Sequence, residues 1–183
     1  MKELSLNILD IAMNSVKAEA TLIVIDIKET PVSLSIEISD DGFGMDELTL
    51  ASVTNPFSTS RTTRKVGMGI PLFKLAAELT GGEFKISSRH KKSFPENHGT
   101  STYASFFKNH IDFTPLGDVV STVLTLIQGN PDIDFLFKHE TPKGALYLDT
   151  REIREVLEDV PLDSFEVLEW IKENLKEQYS EIF

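Results

Sequence analysis

Residues 32–44, VSLSIEISDDGFG, join an alternating apolar segment to an acidic turn that contains two glycines. Apolar side chains alternate with Ser and Glu over residues 32–39, which is typical of a strand with one face on a core. Residues 21–29 alternate in the same way. The short Lys-Glu-Thr-Pro connection between the two segments therefore predicts an antiparallel hairpin.

The periodicity on either side of this hairpin predicts the other elements. We expect helices at 4–18, about 69–80, 117–128, 151–159 and 164–181, strands at 83–88 and 100–107, and a second hairpin at 133–140 and 144–150. Residues 40–68 are rich in loop-forming residues, and no regular element is predicted there. In the first helix, one set of apolar residues repeats at helical spacing, and we expect it to be buried: Leu6, Leu9, Met13 and Val16.

Composition excludes several classes of protein. The chain has 183 residues and a net charge of −11, which argues against a nucleic-acid-binding protein because such proteins need a basic surface. No apolar run approaches the length needed to span a bilayer, and the N-terminus lacks a signal-peptide pattern. The absence of cysteine excludes disulfides and thiolate metal sites. We therefore expect a soluble cytoplasmic protein that binds neither nucleic acid nor a membrane.

The charge is distributed unevenly along the chain. Residues 1–107 carry 13 acidic and 11 basic side chains, whereas residues 108–183 carry 16 acidic and 7 basic ones. This shift predicts two units, a domain over residues 1–107 and a small acidic α+β domain over residues 108–183. The second unit is interpreted as a docking surface for a protein partner that is basic or polar.

Asp10 and Asn14 lie four residues apart on the first predicted helix, so both side chains project from one face. A carboxylate next to an amide offers the oxygen ligands that Mg²⁺ prefers together with phosphates and water. The alternative interpretation is an ordinary solvated helix face.

Asp40, Gly42 and Gly44 follow the alternating strand. A carboxylate at a strand end can accept a hydrogen bond from the amino group of adenine, and glycines allow the base to approach closely. The alternative is a tight turn that uses Asp and Gly for its own geometry.

Gly67 and Gly69 precede a predicted helix, where exposed backbone N–H groups and the helix dipole favour phosphate. Three cations lie just upstream in a loop rich in Ser and Thr, and they can pair with triphosphate oxygens: Arg61, Arg64 and Lys65. The alternative is a solvated surface loop. Thr100 follows Gly99 at the start of a predicted strand and indicates nothing by itself.

The order and spacing of these features resemble the GHKL ATPases, and the ATP-binding domain of bacterial histidine kinases most of all. The resemblance covers about residues 4–107. It implies an α+β fold, a histidine-kinase-like sandwich of helices over a mixed, mostly antiparallel sheet, that binds ATP and Mg²⁺. The whole chain also resembles small stand-alone bacterial ATP-binding proteins, some of which accompany iron-hydrogenase genes.

The resemblance also implies residue roles. Asn14 matches the asparagine that coordinates Mg²⁺, and Asp40 matches the aspartate that binds the adenine amino group. Gly42 and Gly44 would line the base pocket, with Thr100 near the adenine.

At the other end of the nucleotide, Gly67 and Gly69 would hold the phosphates. Asn55-Pro56-Phe57 matches the F-box region of the family. A short lid over residues 57–66 would carry the three upstream cations.

Two departures from the family pattern affect the expected activity. Asp10 stands where the family usually has glutamate, and a general base must lie within hydrogen-bond reach of its proton, so efficient hydrolysis is not expected. The predicted ATP domain begins at residue 4, so we expect no dimerisation module with a phosphorylatable histidine. His90, His98, His110 and His139 are interpreted as loop or strand-end histidines.

Two functions stay open. One is a regulatory protein kinase that acts on a partner in trans, as the anti-sigma kinases of the superfamily do. The other is a nucleotide-gated binding module without phosphoryl transfer. A clamp of the gyrase or MutL type is disfavoured because no long transducer domain is present. An oligomer is compatible with either.

Overall fold

The computed structural model describes residues 3–53 and 68–182. In these ranges, helices and strands follow one another as α1 (Leu4–Lys17), β1 (Leu22–Glu29), β2 (Ser33–Asp40), α2 (Glu47–Val53), α3 (Gly69–Leu79), β3 (Phe84–Arg89), β4 (Gly99–Phe107), α4 (Val119–Gly129), β5 (Asp134–Thr141), β6 (Gly144–Asp149), α5 (Thr150–Leu157) and α6 (Phe165–Ile182).

The strands of the described residues form one mixed sheet in the order β3-β4-β2-β1-β5-β6. Strands β1 and β2 form the predicted antiparallel hairpin, with Ile25 opposite Ile38, and β5 and β6 form the second one. Strand β1 runs parallel to β5 on its other side. This arrangement confirms the predicted α+β class.

One face of the sheet carries the core. The inward side chains of β1 and β2 are at most 1% exposed, as their alternation predicts: Ile23, Ile25, Ile27, Leu34, Ile36 and Ile38. Helices α1, α3, α4 and α6 contact β2, β4, β5 and β6 respectively, so they cover this face. Among residues 3–53 and 68–182, no helix is both long and apolar enough to span a bilayer.

The predicted buried face of α1 is wrong. Leu6 is 43% exposed, and Leu9, Met13 and Val16 are only partly buried. The apolar residues that α1 buries follow a different stripe with the same spacing: Leu4, Ile8, Ile11 and Ala12. Three polar residues of α1 are buried as well: Ser5, Asn7 and Ser15. Apolar residues occur around most of this helix, so periodicity alone left two candidate faces. The small side chains of Ala12 and Ser15 allow the helix to approach the sheet closely.

Helix α2 was not predicted, because residues 40–68 were interpreted as loop. Its start is stabilised by Asp46, whose carboxylate accepts a hydrogen bond from the backbone N–H of Thr49 at 2.8 Å. A helix of seven residues shows too little periodicity to be recognised in the sequence. Its last residue, Val53, is 4% exposed and belongs to the core.

The predicted boundary near residue 107 stays a prediction, but both sides of it contribute to one sheet. Glu29 ends β1 and accepts a 2.8 Å hydrogen bond from Lys108 Nζ, while its other carboxylate oxygen lies 3.4 Å from Nε2 of His139 on β5. Tyr179 of α6 lies with its hydroxyl 2.9 Å from Nδ1 of the same histidine. These contacts connect the end of β1 to β5 and α6 of the acidic segment.

Replacing Phe137 with Ala should therefore destabilise the whole chain. Phe137 is fully buried on β5 opposite Ile25 of β1, and removing such a ring costs about 3–5 kcal/mol. Urea unfolding followed by the fluorescence of Trp170, the chain's single tryptophan, and by hydrogen exchange in β2 would measure the loss. Both probes should shift together, and exposed Glu140→Ala is the matched control. A shift confined to Trp170 would instead indicate that residues 108–183 unfold independently.

Candidate functional site

A cavity of about 490 Å³ lies between α1, the end of β2, the start of β4 and the start of α3. This volume is in the range of small-molecule sites, roughly 300–1,000 Å³. Apolar side chains form much of its wall, and a few polar groups point to one end: Ile11, Ile38, Met45, Val53 and Ile70, with Asn14, Ser15, Asp40, Thr100 and Thr102.

Asp40 is the polar centre of this cavity. Its Oδ2 accepts a 2.6 Å hydrogen bond from the Ser15 hydroxyl of α1. Its Oδ1 accepts from the backbone N–H groups of Gly42 at 3.0 Å and Thr100 at 3.2 Å. Burial raises the pKa of Asp40 above its ordinary value, and these hydrogen bonds only partly oppose that effect.

The hydrogen-bond count of Asp40 leaves room for a ligand. A carboxylate offers about four acceptor positions, and described residues occupy three of them. The carboxylate also lines the cavity. Asp40 is thus held in one orientation by protein donors and can still accept one hydrogen bond from a bound molecule.

Asp41 has a different role from its neighbour. It accepts hydrogen bonds from the hydroxyl and backbone N–H of Thr21 and from the backbone N–H of Leu22. Burial acts to raise its pKa, but these hydrogen bonds outweigh burial and lower it. Asp41 therefore fixes the end of β2 to the start of β1 and stays charged.

Gly44 is needed by the turn that follows Asp40. Its φ of +68° is a conformation that residues with a Cβ rarely adopt, and an added Cβ would lie 2.1 Å from the carbonyl oxygen of Arg89. The turn therefore packs directly on the end of β3. Of the predicted base-pocket residues, Asp40, Gly44 and Thr100 line the cavity, whereas Gly42 lies beside it and donates its N–H to Asp40.

The predicted metal and phosphate residues lie along α1 and the start of α3. Asn14 is half-buried and lines the cavity, whereas Asp10, one turn earlier, is exposed. A Cβ on Gly69 would lie 2.9 Å from the Cβ of Asp10, so glycine allows α1 and the start of α3 to approach. The remaining predicted residues lie outside the described ranges: Asn55, Phe57, Arg61, Arg64, Lys65 and Gly67.

Several cavity residues were missed in the sequence. Ser15 directly follows Asn14 and donates to Asp40, but nothing in the sequence predicted that pairing. Lys17 lies one turn after Asn14 and also lines the cavity. Thr102 lies inside a predicted strand. That its side chain faces inward could have been inferred from the alternation that starts at Thr100.

No group of three or more His, Cys, Asp or Glu side chains able to hold a metal ion occurs in residues 3–53 and 68–182. A divalent cation at Asn14 could take its other ligands from a bound molecule. Phosphate oxygens are such ligands, and Mg²⁺ commonly takes one or two protein ligands together with them.

A family model described as histidine kinase-, DNA gyrase B- and HSP90-like ATPase matches residues 1–114. Curated proteins give no match. The predicted resemblance to the GHKL superfamily is confirmed by this finding.

Two solved structures show the same fold. The N-terminal domain of a DNA repair protein aligns with a TM-score of 0.55 and 20% identity, over 81% of this chain and 52% of that one. The ATPase domain of Aquifex aeolicus MutL, complexed with ADP, aligns with a TM-score of 0.54 and 14% identity, over 86% and 69%. This chain spans about half the length of the repair-protein domain.

The opposite pKa shifts of Asp40 and Asp41 predict opposite pH dependences. A carboxyl with a raised pKa binds its proton more tightly when folded, so its contribution to stability is present below the ordinary pKa of 3.8 and is lost as pH rises through the folded pKa. Asp41, with a lowered pKa, contributes above 3.8 and loses that contribution as pH falls.

Melting temperatures from pH 3 to 7 would test this. Relative to wild type, Asp40→Asn should gain stability with rising pH, and Asp41→Asn should lose it. The same sign for both variants would contradict the assigned environments.

Proposed function

Because this chain belongs to the family of histidine kinase-, DNA gyrase B- and HSP90-like ATPases, we propose that it binds ATP in the cavity at Asp40. The observation that carries the proposal is the remaining acceptor position of a carboxylate already oriented by Ser15, Gly42 and Thr100. The amino group of adenine can donate the hydrogen bond that this position accepts. Ile38 and Met45 lie in the same wall and would contact the faces of the base.

The phosphates would lie toward the start of α3. Backbone N–H groups at the start of a helix favour anions, and Lys17 adds a cation at the cavity. Gly69 belongs to this end, and we propose the same for Gly67. For Asn55, Phe57, Arg61, Arg64 and Lys65, contact with the nucleotide rests on the family resemblance.

Asn14 fits the role of a Mg²⁺ ligand. Its amide oxygen is a suitable hard ligand, it lines the cavity, and the cation would complete its coordination with phosphate and water oxygens. Bound there, Mg²⁺ would neutralise phosphate charge. Asn14 would then orient the triphosphate between α1 and α3.

With Asp10 as the general base, we expect slow ATP hydrolysis. The carboxylate is exposed, lies against Gly69 and is shorter than the family's glutamate. A base that is displaced from the attacking water activates it poorly.

We favour a kinase that transfers the γ-phosphoryl group to a side chain of a partner protein and releases ADP. The second candidate is a nucleotide-gated module in which ATP controls partner binding. It is favoured by the short side chain at Asp10 and by the acidic segment after residue 107.

Asp40→Asn should weaken ATP binding while leaving a folded protein. The amide would place a donor against the donor amino group of adenine, at a cost of roughly 1–3 kcal/mol, or about 5- to 150-fold in affinity. Calorimetry on the full chain is the measurement, with exposed Asp159→Asn as the control. Unchanged affinity in folded Asp40→Asn would refute the assignment of Asp40.

Asn14→Ala should weaken ATP binding in Mg²⁺ much more than in EDTA, since the side chain acts through the ion. Affinities for ATP measured under both conditions give the comparison. Equal losses would show that Asn14 does not hold the metal.

The two candidate functions differ in where the γ-phosphoryl group goes. ATP labelled at this position should transfer its label to a protein when the chain is incubated with an extract of the native cell. At ATP concentrations below saturation, transfer should fall with Asp40→Asn. If no label moves but ATP changes which proteins associate with the chain, the gating function is supported and the kinase is not.

A further inference from the structure

The backbone of the turn after Asp40 is held on both sides of one residue, Gly42. The N–H of Gly42 donates to Asp40 Oδ1 at 3.0 Å, and the carbonyl oxygen of Gly42 lies 2.7 Å from Nδ1 of His98. A carbonyl oxygen can only accept, so Nδ1 of His98 carries the proton and donates it.

His98 belongs to the same short segment that supplies another hydrogen bond to Asp40. Two residues later, the N–H of Thr100 donates to Asp40 Oδ1. Between them, Gly99 has a φ of +131°, and an added Cβ would lie 1.9 Å from the carbonyl oxygen of Asp40. Asp40, Gly42, His98 and Thr100 therefore form a closed ring of contacts between the end of β2 and the start of β4.

The same connection between β3 and β4 also holds the next carbonyl of the turn. The backbone N–H of Lys91 donates to the carbonyl oxygen of Phe43 at 2.8 Å. That contact uses backbone atoms only, so any residue at position 91 other than proline could make it. The contact to Gly42 depends on the side chain of His98 alone.

We propose that His98 is a positioning residue of the nucleotide site, which orients Asp40 toward the base by holding the carbonyl group of Gly42. The inference rests on the proposed binding of ATP. His98 is not among the residues that line the cavity, so it acts through Gly42 and not by touching the nucleotide. Its effect should fall on the base end of the ligand and be independent of phosphates and Mg²⁺.

The geometry of the contact defines variants that differ in whether, and where, they place a hydrogen-bond donor. The side-chain nitrogen of Asn occupies the same bond position as Nδ1 of His, so His98→Asn keeps a donor near the Gly42 carbonyl. His98→Gln moves the amide one bond further along, toward the position of Nε2, and His98→Leu removes the donor. His110, an exposed histidine after β4, provides the control His110→Leu.

Calorimetry on the full chain with adenosine, ADP and MgATP is the test. His98→Leu and His98→Gln should bind all three about 3- to 10-fold more weakly, as expected for losing one hydrogen bond. His98→Asn and His110→Leu should bind within about twofold of wild type. Asn14→Ala should weaken MgATP alone, which separates the two ends of the site.

Each outcome decides the inference. Unchanged affinity in His98→Leu, or an equal loss in His98→Asn, overturns the positioning role, because a general packing role would not be rescued by the donor. If His98→Leu does not fold, the comparison of His98→Asn with His98→Gln decides in its place. If wild type binds none of the three ligands, the proposed function fails and the inference fails with it, whereas wild-type binding with an unaffected His98→Leu rejects only the role of His98.

Discussion

The rest of the site depends on one half-buried carboxylate that joins three elements. Asp40 ends β2, accepts from Ser15 on α1, and accepts from Thr100 at the start of β4. Burying a charged group is unfavourable unless hydrogen bonds replace its hydration, and the raised pKa of Asp40 shows that this replacement is incomplete. A hydrogen-bond donor from a ligand would therefore stabilise the charged form of Asp40.

Most of the fold could be predicted because strict alternation in β1 and β2 specifies strands, hairpin and buried face together. The same reasoning failed for α1, where apolar residues surround much of the helix and only packing against the sheet selects Ile8 and Ala12. Helix α2 was missed because its capping residue, Asp46, is as common in turns as at helix starts. Parallel pairing of β1 with β5 was not predicted, since no local pattern reports contacts between distant strands.

At the site, the motifs predicted several residues that line the cavity, and they missed the residues that position them. Asp40 and Asn14 were predicted because their spacing resembles a family pattern. Ser15 and His98 were not, because each acts on a neighbour that only the folded chain brings near. The glycines of the turn are explained by close backbone approach as well as by a ligand, as Gly44 against Arg89 shows.

The parallel contact between β1 and β5 also constrains how the chain can be made in the cell. Strand β1 leaves the ribosome early, but its partner from Asp134 to Thr141 is translated only after the whole intervening region. At roughly 5–20 residues per second, a delay on the order of 5–20 s separates the two strands. During that interval the nascent sheet ends at an unpaired apolar edge, which can pair with other chains. A chaperone that covered this edge would therefore be most useful between the synthesis of β1 and that of β5.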